Sequence, residues 1–228
     1  MVPMVYFSLV VFVIGILYSI FKIVRAPKQP YTLKLFPDKN QPALGLLSDN
    51  FLMPTIRKDK ALFWVFLILY HLAFLLLILG HLDLIPGIHI MNPDSGHMLG
   101  YGAVGVVLTV SVCYFLLRRF KSPVREISSM GDYLVLILLL FLFLTGGIMS
   151  WSNSWGENGF VLEKSDFRNY MNILTRFNFE NPHPVLDSSH YFHVVFHVLL
   201  ANIFLIIFPF TKFVHTFFAL ILNKLRRG

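Results

Sequence analysis

Histidines recur inside the apolar stretches of this 228-residue chain at spacings that let them act in pairs. His71 and His81 lie ten residues apart in FWVFLILYHLAFLLLILGHLDLI, and His197 and His215 eighteen apart in FHVLLANIFLIIFPFTKFVH. An ionisable side chain in hydrocarbon reads as functional unless it makes only a helix–helix hydrogen bond. Neutral imidazole is also a common metal ligand. Four imidazoles, two on each of two helices, can clamp two metal-centred cofactors. The sole cysteine, Cys113, lies in an apolar run, which excludes an intrachain disulfide, a Cys-built iron–sulfur site and a CxxCH haem attachment. Any metal must arrive through His or carboxylates, or inside a cofactor.

The elements that position these residues must be membrane helices. Hydrophobic residues make up 56% of the chain and charged ones 14%, against about a quarter in soluble domains. Five segments reach the roughly 20 apolar residues that cross a bilayer: Val5–Val24, Leu62–Ile85, Leu99–Leu117, Tyr133–Met149 and Tyr191–Phe210. The first lacks the basic start and small-residue cleavage site of a signal peptide, so it reads as a retained span. The expectation is an all-α membrane protein, a single five-transmembrane-helix bundle formed by residues 1–228.

Charge sets its orientation. Lys22, Arg25, Lys28, Lys34, Lys39, Arg57, Lys58 and Lys60 lie between the first two spans, Arg118, Arg119, Lys121 and Arg125 between the third and fourth. Lys212, Lys224, Arg226 and Arg227 follow the fifth. The loop between the second and third spans has no Lys or Arg, and Ser150–His190 holds three basic and five acidic residues. The positive-inside rule puts the N-terminus outside and the C-terminus in the cytoplasm. The net charge of +7 is thereby explained without nucleic acid. In the long outer connection, Phe167, Tyr170, Ile173, Leu174 and Phe177 recur at helical spacing, which predicts an interfacial helix over about 165–177. Such a helix can roof a site for a lipid-soluble substrate or merely cover surface.

In this topology His71 is near mid-membrane, His81 and His197 near the outer face, and His215 near the inner one. Eighteen residues at 100° each make five full turns, so His197 and His215 share one face of a continuous helix, whereas His71 and His81 differ by about 80°. The rises are about 15 Å and 27 Å, so one pairing must be oblique, with Pro209 as a source of bending. Order along the membrane normal pairs His81 with His197 and His71 with His215. Each pair can supply both axial ligands of a haem b. His193, four residues before His197 on nearly the same face, is an alternative ligand.

These stretches resemble the gamma subunit of respiratory nitrate reductase, a membrane di-haem cytochrome b. The resemblance runs through YHLAFLLLILGH with its ten-residue His spacing, and GVVLTVSVCYFLLRRFKSPVREISSMGDYLVLILLL with its SPxVR-type turn and following GD. It ends in HVLLANIFLIIFPFTKFVHTF, with its FPF motif and final His, and covers residues 60–220. It implies that His81 and His197 ligate an outer haem b, and His71 and His215 an inner one. The wider family includes cytochrome b subunits from the redox complexes of sulfate reducers. The resemblance therefore implies a bacterial or archaeal cytoplasmic (inner) membrane and a cytoplasmic iron–sulfur partner, either nitrate reductase beta-like or heterodisulfide-reductase-like. Some relatives also meet a periplasmic cytochrome c. The loop LDLIPGIHIMNPDSGHML after His81 departs from the nitrate reductase pattern: it lacks the basic residue found there near the quinol site. That departure bears on the nitrate assignment more than on the cytochrome.

The expected role is electron exchange with menaquinone or another quinone near the outer face, connected through two haem b to the iron–sulfur subunit. A quinol surrenders two protons with its electrons, so its site needs acceptors open to water. His97 and Asp94, at the start of the third span, are the first candidates, ahead of His89, His190 and His193; an Asp94 turn in NPDSG is the alternative reading. Gly80, Gly100, Gly102, Gly105, Gly146 and Gly147 permit close approach of a helix or a porphyrin. Arg118, Arg119 and Lys212 suit either inner-haem propionates or loop anchoring. Trp151 and Trp155 suit interfacial anchoring. Two other roles use the same parts: a haem wire from a periplasmic cytochrome c without a quinone site, and a haem-free subunit whose histidines relay protons.

Overall fold

The computed structural model describes residues 1–25, 48, 50–88, 90, 102–152, 164–180, 191–214 and 218. Its helices are α1 (Val2–Arg25), α2 (Pro54–Asp59), α3 (Ala61–Leu82), α4 (Ala103–Arg119), α5 (Met130–Ser152), α6 (Lys164–Thr175) and α7 (Tyr191–Ile207). Among the described residues there is no strand. Among the described residues four helices are long and apolar enough to cross a membrane: α1, α3, α5, and α7 with the turn that follows it. In hydrocarbon a backbone must satisfy its own hydrogen bonds, and a helix does so within one segment. The outward faces carry Phe7, Leu17, Leu62, Leu72, Leu117 and Leu134 exposed, which suits lipid and not water. α4 has 17 residues; the segment before it, where the predicted third span begins, lies outside the described residues.

The helices pack as a row, α3 on α4, α4 on α5, α5 on α7, and α7 on α1. The core runs through that row: Leu108 and Val112 of α4 and Leu139 of α5 are fully buried, with Tyr70 and Ala73 of α3 and Phe204 of α7 around them. α3 and α7, the two histidine-bearing helices, do not pack extensively on each other.

Local chemistry fixes the ends. Ser129 and Asp132 begin α5 as a capping pair, the Asp132 carboxylate accepting from the Ser129 N–H and Oγ–H at 3.0 Å each. Lys212 donates to the same carboxylate at 2.7 Å, and Arg119 lies 3.6 Å from it. The Arg118 guanidinium sits 4.0 Å from the Phe63 ring centre. These cations anchor helix ends, the simpler of the two roles open to them. At its N-terminal end Gly102 opens α4 with φ 73, a conformation that suits glycine. Its N–H donates to Ser150 Oγ and its carbonyl accepts from Trp151 Nε1, both at 3.1 Å. Trp151 is thus a latch between α4 and α5.

α7 and the turn that follows it fill the predicted span Tyr191–Phe210, but the α-helix itself stops sooner. Pro209 lacks an N–H, so the helix stops at Ile207, tightens into a 3-10 turn over Phe208–Phe210, and becomes extended at Thr211. The five-turn argument for His197 and His215 requires an unbroken helix and therefore does not hold; His215 itself lies outside the described residues. α1 covers this break: a Cβ on Gly15 would meet the Pro209 ring at 2.5 Å. Beside it, Ser8 Oγ hydrogen-bonds Asn202 Oδ1, joining α1 to α7 in a fully buried position.

The predicted interfacial helix is α6, ending at Thr175, two residues short of its predicted end. Phe177 is not on its apolar face but in its cap, at φ 53. Asn178 N–H donates to the Ile173 carbonyl at 3.0 Å and Phe177 N–H to the Leu174 carbonyl at 3.2 Å, a Schellman closure. The Tyr6 ring of α1 stacks on Phe177 at 5.5 Å, and its hydroxyl donates to the Leu174 carbonyl at 2.9 Å. Tyr170 packs inward with Val2 and Val194. Burial pushes its phenol up to about 12, with Tyr6 adding a smaller contribution.

Candidate functional site

α3 presents two imidazoles held in the same way. His71 Nδ1 lies 2.7 Å from the Leu67 carbonyl, and His81 Nδ1 2.8 Å from the Leu77 carbonyl. A carbonyl only accepts, so each Nδ1 carries the proton and each Nε2 is left as a bare lone pair. Both side chains are exposed, uncovered by neighbouring helices. That is the tautomer and the access that an axial metal ligand needs.

On α7, His197 is held from outside its own helix. Its Nδ1 lies 3.0 Å from Thr145 Oγ1 of α5. The Thr145 hydroxyl spends its one proton on α5, at 2.9 Å from the Phe141 carbonyl and 3.0 Å from that of Leu142. It therefore accepts from His197 Nδ1–H, and Nε2 is again left bare. The neighbouring Gly146 makes room: a Cβ there would stand 3.2 Å from His197 Cε1. The close approach foreseen for this glycine is thus made by an imidazole. Gly105 and Gly147 serve helix packing, a Cβ on the first lying 3.4 Å from the Cα of the second.

α3 and α7, which carry His81 and His197, are not packed extensively on each other. His81 and His197 thus have matching tautomers, each with Nε2 left bare. Paired axial ligation of a planar metal cofactor such as haem fits this donor set and access. His71 lies lower on the same helix, about 15 Å away by helical rise. His193 is half-buried on α7, one turn further out. His215, His97, Asp94, His89 and His190 lie outside the described residues.

Two features had no sequence forecast. Thr145, just described, is one. The other is Asp83, fully buried two residues past His81. Lys164 of α6 places its Nζ 2.7 Å from Asp83 Oδ2, itself with little exposure. Arg168, one turn on, lies 3.7 Å from Oδ1 and donates to the Asp83 carbonyl at 3.1 Å. The Ile90 N–H donates to Oδ1 at 2.9 Å. Arg and Lys, absent from the loop after His81, thus reach the C-terminal end of α3 from another segment. α6 is held at one end by this cluster and at the other by Tyr6, and so bridges from α3 to α1 and α7.

Comparison with known proteins agrees with this architecture. Residues 55–227 match the nitrate reductase gamma subunit family. The chain is 31% identical over 160 residues to the nitrate reductase gamma chain of Bacillus subtilis, covering 65% of this chain and 69% of that one. It is 29% identical over 172 residues to the Hdr-like menaquinol oxidoreductase cytochrome b-like subunit of Archaeoglobus fulgidus, covering 70% of this chain and 48% of that one. The matched part is thus about half the length of the archaeal relative.

Proposed function

The chain belongs to the nitrate reductase gamma subunit family, and from that membership we propose that it is the membrane cytochrome b subunit of a respiratory complex that oxidises a quinol. It is a multi-pass protein of the cytoplasmic membrane. In this reading residues 1–228 form one domain of five spans, α4 being the fifth, with the N-terminus outside and the C-terminus in the cytoplasm.

The observation that supports the proposal is that His71, His81 and His197 each have Nδ1 engaged by a neighbouring oxygen, which leaves Nε2 free to ligate a metal. His81 and His197 would hold an outer haem b, and His71 with His215 an inner one. When bound, the two haems supply one-electron carriers stacked across the bilayer.

The protein's own residues do the rest. Carbonyl and hydroxyl acceptors orient the imidazoles and keep them from binding through Nδ1. α6 roofs the outer side, held by a buried ion pair, and excludes water from the face on which a lipid-soluble quinol would lie. His97 and Asp94 would take the two protons of the quinol at the outer surface, where release to water contributes to energy conservation. The quinol is menaquinol in this proposal, as the name of the archaeal relative has it. A cytoplasmic iron–sulfur subunit, nitrate reductase beta-like or heterodisulfide-reductase-like, completes the complex at the inner face. A periplasmic cytochrome c is a further partner open to it.

The test is haem quantification with a reduced-minus-oxidised spectrum of the purified membrane complex. Two b-type haems per chain are expected. Absence of b-type haem overturns the proposal and leaves the haem-free proton relay.

A further inference from the structure

His197 differs from the two histidines of α3 in one respect. They are pinned by carbonyls of their own helix, four residues back, whereas His197 is pinned by α5. We propose that Thr145 is a positioning residue for the outer cofactor: its hydroxyl accepts from His197 Nδ1–H and thereby sets the aim of the ring and the donor strength of Nε2. This rests on the proposed haem ligation by His197.

Four observations carry it. Thr145 Oγ1 lies 3.0 Å from Nδ1. The hydroxyl proton is committed to α5 carbonyls, so the oxygen presents a lone pair to the imidazole. Thr145 is buried, so water does not compete for the bond. The adjacent Gly146 removes the Cβ that would push the ring away. Thr145 and Gly146 thus act together, one residue holding the imidazole and the next leaving room for it.

The electronic consequence has a definite sign. An acceptor on Nδ1–H draws the proton toward itself and leaves more negative charge on the ring, which raises ligand basicity. A more basic axial ligand favours ferric over ferrous iron and lowers the reduction potential. His71 and His81 receive this from backbone carbonyls, which no side-chain substitution removes. For His197 a side chain is part of the control, so a point substitution at a helix contact can move the potential of the outer haem.

The experiment compares wild type, Thr145→Val and Thr145→Ser in the purified complex, read by haem content, redox titration of each haem and the low-spin ferric EPR signal. Thr145→Val keeps the shape and removes the hydroxyl, while Thr145→Ser keeps it. The expected result is two haems in all three proteins, an upward shift in potential and a changed EPR signal for one haem in Thr145→Val, and wild-type behaviour in Thr145→Ser. Potentials and EPR signals in Thr145→Val equal to wild type overturn the inference. If Thr145→Val does not accumulate, Thr145→Ala is read in the same way. Loss of both haems from both variants also overturns it, since that marks a merely structural role. A wild-type complex without b haem instead refutes the proposed function on which it rests.

Discussion

Lys164 Nζ lies 2.7 Å from the Asp83 carboxylate, and both side chains are buried where α6 meets the C-terminal end of α3. A buried ion pair contributes little against a well-packed apolar pair, but removing one partner strands the other charge, at about 3–5 kcal/mol. Asp83→Ala is therefore expected to destabilise the protein on that scale, with its melting temperature in detergent as the measure. The double variant Asp83→Leu, Lys164→Met should lose much less. A double variant as unstable as the single one would show that the pair does not act through charge.

The same contact holds one end of the roof. In Asp83→Ala, amide hydrogen exchange over Lys164–Thr175 should quicken while that of the Leu108 and Leu139 regions stays slow. Uniform quickening throughout the bundle would mean that α6 is not a separately held unit.

His81→Ala is expected to leave one b haem of the two, with the remaining spectrum that of the inner site; His71→Ala should do the converse. Haem content per chain is the measurement. If both haems survive His81→Ala, the ligand assignment fails. Retention of both in His197→Ala, with loss of one in His193→Ala, would transfer the α7 ligand to His193.

Gly146→Val places a Cβ 3.2 Å from His197 Cε1, with further methyl groups beyond it. The imidazole must turn away from its present place. The expected outcome is loss or spectral change of the outer haem alone. An unchanged pair of haems would show that the ring has room to spare.

Gly15→Leu drives a side chain into the Pro209 ring, which a Cβ alone would approach to 2.5 Å. Overpacking of this kind costs about 1–3 kcal/mol. Cross-linking between cysteines introduced in α1 and α7 should fall in step with the loss of stability. Unimpaired cross-linking would mean that the two helices separate there without cost.

Much of this was legible in the residues because bilayers impose length and periodicity. The runs around His71 and Phe143 announce helices whatever their neighbours, and the Phe167–Leu174 spacing announced α6. What was not legible depends on contacts between distant segments. Asp83 reads as a loop residue until Lys164 is brought to it by α6. Thr145 reads as a tolerated polar residue in a span until His197 lies across from it. Pro209 was visible as a bend, but its full effect was not: the helix ends, and with it the phase relation of His197 to His215. Phe177 was assigned to an apolar face because its spacing fits one, whereas its backbone had turned left-handed to close the helix.

The packing of α1 has a consequence for how the protein is made. Its neighbour is α7, which leaves the ribosome only after α3, α4 and α5. α1 must therefore wait in the bilayer while these helices emerge, with Ser8 lacking its Asn202 partner until α7 inserts. The arrival of α7 thus completes two joints at once, one with α1 and one between Thr145 and His197.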